Sequence, residues 1–160
     1  MPMKVIFKNV QSRGGKGDLF KTFNLESSFN ILYLHRFVAL YPDQVKKISR
    51  QEFDGLLQEF SEDILPNNDK LYNRVVAVSN RLLEGNKDLR QIYDKSWTVT
   101  VVDQPVRNAF VLPSGNIFVF RGMLDLCKND DQLGIVIGHE MAHAVLGHVA
   151  EQLTMAGFVR

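Results

Sequence analysis

Apolar residues keep a helical spacing through the first half of this chain and switch to strict alternation after Trp97. Phe53, Leu56, Leu57, Phe60 and Ile64 follow a Ser49 and Glu52 pair in capping-box spacing, which predicts an amphipathic helix starting at Ser49. Its acids, Glu52, Asp54, Glu59, Glu62 and Asp63, fall mostly on the other faces, as a solvated surface requires. Ile31 to Tyr41 is an apolar lead-in that Pro42 ends, because proline does not continue a helix. Beyond the break at Pro66-Asn67-Asn68, Leu71, Val75, Val78, Leu82 and Leu83 predict a second helix closed by Gly85.

Asn86 to Lys95 is a polar connector with room for one helical turn. Trp97 to Val102 alternates β-branched residues and predicts a strand. Arg107 to Leu112 and Asn116 to Phe120, joined through Pro113-Ser114-Gly115, predict a hairpin whose Phe110, Phe118 and Phe120 supply a buried aromatic face. Gly122 to Leu126 is a turn or short helix. Asn129 and Gln132 form a weaker capping box that opens a long apolar run from Leu133 to Val149. That run is apolar nearly all round, so its helix is expected at the buried centre of the domain. Gly134, Gly138, Ala142, Val145 and Val149 fall on one stripe of it, small enough for close approach of a neighbour, and Gly147 leaves another side open. Helices, then strands, then a helix give an α+β class.

Composition narrows the picture. The chain has 160 residues, 45% of them hydrophobic, enough for one domain with a core. Nineteen lysines and arginines against eighteen acids leave a net charge of +1 with no basic block, which argues against nucleic acid as a partner. Cys127 is the single cysteine, which excludes an intrachain disulfide and suits a small buried hydrophobe. Phe29 to Tyr41 is too short, and too interrupted by His35 and Arg36, to span a bilayer; no transmembrane segment is expected in this chain. His35 is expected to be a packing or surface residue. Lys4, Lys8, Arg13 and Lys16 give the N-terminus a presequence-like charge, but Gly14, Gly15 and Gly17 break the amphipathic helix that a presequence needs. Residues 1–30 are therefore expected to be an N-terminal extension, disordered or loosely packed, and residues 31–160 the domain proper.

The chemistry sits in His139-Glu140-Met141-Ala142-His143. On a helix His139 and His143 lie about 40° apart around the axis and about 6 Å apart along it, so both imidazoles can hold one ion. Glu140, about 100° round from His139, is placed for a general base rather than for a ligand. A hydrogen-bonded pair of packing histidines beside a salt-bridged glutamate is the alternative, but burying those three polar groups in an apolar helix is costly unless a metal engages them. Zn2+ is the expected cofactor, with His139 and His143 as metal ligands and Glu140 as the catalytic base. His148 does not complete a longer metzincin-type pattern: Leu146 stands where that pattern has glycine, and Val149 where it has histidine. On a continuous helix His148 lies roughly 140° round from His143 and Glu151 about 12 Å beyond it along the axis, which removes both as third ligands.

Asn108 to Leu124, Asp131-Gln132-Leu133 and Gly138 to His148 together resemble the zinc peptidase family that includes the CAAX prenyl protease and the heat-shock protease HtpX. The string His-Glu-Met-Ala-His-Ala-Val-Leu-Gly-His is most similar to its mitochondrial inner-membrane branch, and the likeness is specific from Trp97 to Glu151. The resemblance implies a zincin-like fold and endopeptidase activity on protein or peptide substrates, membrane proteins above all. It also implies a part in protein quality control at the mitochondrial inner membrane, with a bacterial envelope as the alternative, and it leaves oligomeric state open. It makes Asn108 and Ala109 substrate-binding candidates on an edge strand along which substrate lies. The family takes its third ligand from a glutamate on a later helix, in a Glu-x-x-x-Asp setting that this chain lacks before Arg160. The expectation is then a partial metallopeptidase domain, a fragment or short form, that by itself binds zinc weakly and cleaves poorly. The competing class is a non-enzymatic interaction module on the same scaffold.

Overall fold

A computed structural model of the chain describes residues 42–147. The N-terminal extension, the lead-in from Ile31 to Tyr41, His35, His148, Val149 and Glu151 lie outside the described residues. The element order is α1 (Pro42–Glu59), α2 (Lys70–Gly85), α3 (Arg90–Tyr93), β1 (Thr98–Val102), β2 (Ala109–Val111), β3 (Asn116–Phe120), α4 (Arg121–Leu126) and α5 (Asp130–Val145). Helices around one small three-stranded sheet make the chain a mixed helix and sheet structure, as its patterning implies.

Helix α1 starts at Pro42 rather than at the expected Ser49. Proline's fixed φ suits the first helical position, where its missing N–H is one the helix leaves unpaired in any case. Ser49 sits inside the helix and is buried; its hydroxyl lies 2.7 Å from Ser114 Oγ and accepts a bond from the Ser114 N–H at 3.2 Å. The residue in capping-box spacing thus fastens α1 to the hairpin turn. Ile64 falls beyond the helix and bridges to Val102, while the Leu65 N–H donates to Val101 O at 2.9 Å.

Asp69 caps α2 by accepting from the Leu71 and Tyr72 N–H groups at 2.7 and 3.4 Å. The closing role expected of Gly85 falls to Asn86, whose backbone N–H reaches Leu83 O at 3.2 Å and whose side-chain amide donates to Leu82 O at 2.8 Å. The predicted helical turn in the connector is α3.

The sheet runs β1-β3-β2, with β1 and β3 parallel (Val99 opposite Ile117) and β2 antiparallel to β3 (Phe110 opposite Phe118). Alternation sorts its side chains into two layers. Val99, Val101, Ala109, Val111, Ile117 and Val119 share a core with Val75, Val78 and Leu82 of α2 and Leu133, Ile137 and Met141 of α5. Val102, Leu112, Phe118 and Phe120 meet Phe53, Leu56 and Leu57 of α1, and Phe60 just past its end, on the other face. Phe118 is the centre of that second layer, stacked on Phe110 at 5.1 Å and edge-on to Phe53 at 5.8 Å. Phe110 itself is only half-buried. Cys127 is buried with a free thiol, as expected.

The expected burial of α5 holds along one side of it. Leu133, Gly134, Ile137, Gly138, Met141, Ala142 and Ala144 are buried against α2 and β2, but Ile135 is 50% exposed and His139 is exposed. One side of the helix is therefore open. Among the described residues no helix is long and apolar enough to cross a membrane.

Candidate metal centre

Helix α5 begins at a built anchor. Asn129 Oδ1 accepts from the Gln132 N–H at 2.9 Å and Gln132 Oε1 accepts from the Lys128 N–H at 2.8 Å, a capping box displaced by one residue on its return leg. Asp130 then takes Arg74 Nε at 2.9 Å on one oxygen and Arg81 Nη2 at 2.8 Å on the other. Arg74 also donates to Cys127 O at 3.1 Å and to Leu124 O at 3.4 Å, tying the loop after α4 to α2. The hydrogen bond from Arg74 holds the Asp130 carboxyl below its usual pKa; partial burial opposes this, and Arg81 adds to it. A carboxylate in the first turn also suits the helix dipole.

Two and a half turns on, the open side of α5 carries the histidine pair. His139 Nε2 and His143 Nε2 stand 2.9 Å apart, with ring centroids at 4.4 Å and ring planes at 89°. At this distance the two Nε2 atoms hydrogen-bond to each other, the pairing that the sequence offers as the alternative to a metal site. A zinc ion about 2.0–2.1 Å from each nitrogen in tetrahedral geometry needs them about 3.3 Å apart, so a separation of 2.9 Å requires only a small opening of the rings. Neutral imidazole is also the donor type that zinc accepts. The residues present fit the ion. Glu140, half-buried, occupies the flank of the pair. Among the described residues no cluster of three histidines, cysteines, aspartates or glutamates converges on one point.

The end of α5 changes the account of the other polar residues. Leu146 caps the helix, its N–H reaching Ala142 O at 2.9 Å, and Gly147 follows with φ +71°. A left-handed glycine is a common helix terminator. Helix α5, from which the positions of His148 and Glu151 are projected, is described as far as Val145. Both lie outside the described residues.

Among the described residues β2, against which α5 packs, is an outer strand of the sheet; Ala109 is its first residue and Asn108 directly precedes it. The ladder separates the two. Asn108 is exposed and its carbonyl accepts from the Phe120 N–H at 3.1 Å, while the Leu112 N–H donates to Asn116 O at 3.0 Å. Antiparallel alternation therefore turns the main-chain groups of Asn108, Phe110 and Leu112 inward to β3, and those of Ala109 and Val111 outward. Val111 joins Ala109 as an outward-facing residue, which the sequence shows only once the hairpin register is known.

Residues 72–160 match Peptidase family M48. The chain belongs to this family. The M48 match takes in β1 to β3, the hairpin and all of α5. Among similar proteins, "Metalloendopeptidase OMA1, mitochondrial" of Homo sapiens is 42% identical over 163 residues, covering 92% of this chain and 31% of the relative. "Mitochondrial metalloendopeptidase OMA1" of Schizosaccharomyces pombe is 33% identical, covering 74% of this chain and 34% of its own length. "Metalloprotease LoiP" of Escherichia coli is 31% identical, covering 74% and 43%. This M48 chain thus spans about a third of the length of the two OMA1 relatives and 43% of the third. No solved structure matches it significantly.

Proposed function

We propose that residues 31–160 are part of a zinc metalloendopeptidase domain of zincin-like fold, cleaving membrane-associated proteins in mitochondria at the inner membrane. The observation that carries this reading is the placing of the His139 and His143 rings side by side on one face of α5, their Nε2 atoms 2.9 Å apart. The M48 match and the names of the human and fission-yeast relatives support the protease class and the mitochondrial setting.

His139 and His143 would hold the ion, each through one ring nitrogen. Zinc, when bound, polarises a peptide carbonyl and makes a water acidic near neutral pH. Glu140 accepts the proton from the attacking water and returns it to the leaving amine, a role worth about 10²–10⁴-fold in rate. An extended peptide pairs with the outward main-chain groups of Ala109 and Val111, which fixes the scissile bond relative to α5. Asn108, whose carbonyl is engaged with β3, contributes its side chain at the end of that edge. Two imidazoles hold zinc weakly, and the third ligand comes from outside residues 42–147.

Zinc content by emission spectroscopy and cleavage of an unstructured protein substrate test the reading. The expected result is weakly held zinc that His139→Ala and His143→Ala each remove, with slow cleavage that Glu140→Gln lowers further while the weak zinc binding is unchanged. Cleavage that survives both histidine substitutions overturns it.

A further inference from the structure

The turn between β2 and β3 is held by a chain of polar side chains that metal binding does not use. Ser114 donates its hydroxyl proton to Asn116 Oδ1. A hydroxyl has a single proton to give, so the 2.7 Å contact between the Ser49 and Ser114 Oγ atoms is a bond donated by Ser49. The Ser114 N–H returns a bond to Ser49 Oγ at 3.2 Å, and Asn116 Nδ2 donates to Thr98 Oγ1 at 2.7 Å. Lys95 Nζ adds a bond to Pro113 O at 2.8 Å. The chain thus ties α1, the turn, β3 and β1 together. Ser49 is 0% exposed and Asn116 8%. Burying such groups is costly where apolar side chains would not be, and a satisfied buried network gives in return one fixed arrangement.

What it fixes is the strand that runs into the turn. β2 has three residues, a ladder to β3 on one side and, among the described residues, no strand on the other. A strand that short takes its position from its two ends. At its entry Asn108 O accepts from the Phe120 N–H, and past its exit Leu112 leads straight into Pro113. We propose that Ser49, Ser114, Asn116 and Thr98 are positioning residues for peptide binding: their chain sets the tilt of β2 at which the outward main-chain groups of Ala109 and Val111 pair with an extended peptide. This rests on the edge pairing proposed above and on no property of the metal.

The test uses the full chain with zinc present and, as probe, a fluorescein-labelled decapeptide of alternating alanine and glutamine, its affinity read by anisotropy well below the unfolding transition. Ser114→Ala removes the acceptor of Ser49 and the donor to Asn116, and Thr98→Val removes the last acceptor at nearly constant shape. Each is expected to weaken peptide binding about 10-fold, within the range of a lost buried hydrogen bond, with zinc uptake unchanged. Ser114→Thr and Thr98→Ser keep the hydroxyls and are expected to bind as wild type does. Ser114 and Thr98 are both half-buried, so the variants are expected to fold. Peptide affinity unchanged in Ser114→Ala and Thr98→Val, whatever their loss of Tm, makes the chain a stabilising feature only and overturns the positioning role. So does a loss of zinc uptake in step with the loss of peptide, which assigns the effect to general loosening. A wild-type chain that takes up zinc and binds no peptide overturns the edge pairing and the positioning role together, and leaves the zinc reading standing.

Discussion

Replacing Gly122 with alanine probes the junction on which the outer strand depends. A Cβ at this position lies 2.4 Å from Pro105 O, 2.5 Å from Pro105 C and 2.6 Å from Val106 O. All three are backbone atoms, so no side-chain rotation relieves the clash, and the segment leading into β2 must retreat by most of an ångström. The Gly122 N–H bond to Gln104 O, at 3.1 Å, is pulled apart in the process. Overpacking of this kind costs about 1–3 kcal/mol and the hydrogen bond about 1 kcal/mol, against which alanine returns up to about 1 kcal/mol of helix propensity. The net destabilisation is about 2 kcal/mol, or a fall in Tm of about 8 °C for a domain of this size. Urea and thermal unfolding followed by circular dichroism measure it. Gly55→Ala is the internal control: it sits exposed in α1 with nothing within 4 Å of the added carbon, and is expected to gain about 0.5–1 kcal/mol. A Gly122→Ala protein as stable as wild type refutes the close approach of these two segments.

The same unfolding assay checks three further expectations. Asp69→Ala removes the acceptor for two N–H groups of α2 and is expected to cost about 1 kcal/mol, with Asp69→Asn close to neutral. Phe118→Ala empties a fully buried position between α1 and the sheet and is expected to cost about 3–5 kcal/mol, whereas the same change at half-buried Phe110 costs clearly less. Asp130 has its folded pKa lowered from 3.8, so its contribution is complete above about pH 4 and is lost as pH falls through the lower folded value. Its side chain is 44% exposed, which limits that contribution to under about 1 kcal/mol; Asp130→Asn is expected to remove this pH dependence, and an unchanged acid limb refutes it.

The strands were legible because alternation is a local signal and because Pro113-Ser114-Gly115 supplies a turn that nothing in the tertiary structure overrides; Gly115 indeed adopts φ +96°. Helix α2 was legible for the same reason, its apolar stripe being the face it buries. The start of α1 was not. Ser49 and Glu52 satisfy a capping pattern in sequence, but the Ser49 hydroxyl is engaged by Ser114, 65 residues away, and no local pattern encodes that pairing. The Asp130 anchor was hidden likewise, since Arg74 and Arg81 lie on another helix.

The site itself shows how composition can mislead about burial. An apolar helix reads as central, yet α5 gives its small residues, Gly134, Gly138 and Ala142, to the packed side and leaves the imidazoles outward. The proposed zinc reading needs that arrangement, since a ligand pair enclosed on all sides could not reach an ion, a water and a peptide together. Gly147 carries the second half of the point. Taken as a helical position it only opens space beside the histidines, but with φ +71° it turns the backbone out of the helix one turn after His143. The roughly 12 Å projected to Glu151 along the α5 axis falls outside the described residues. Helical geometry binds His139, Glu140 and His143 into one unit, and it assigns no position to a ligand beyond Gly147.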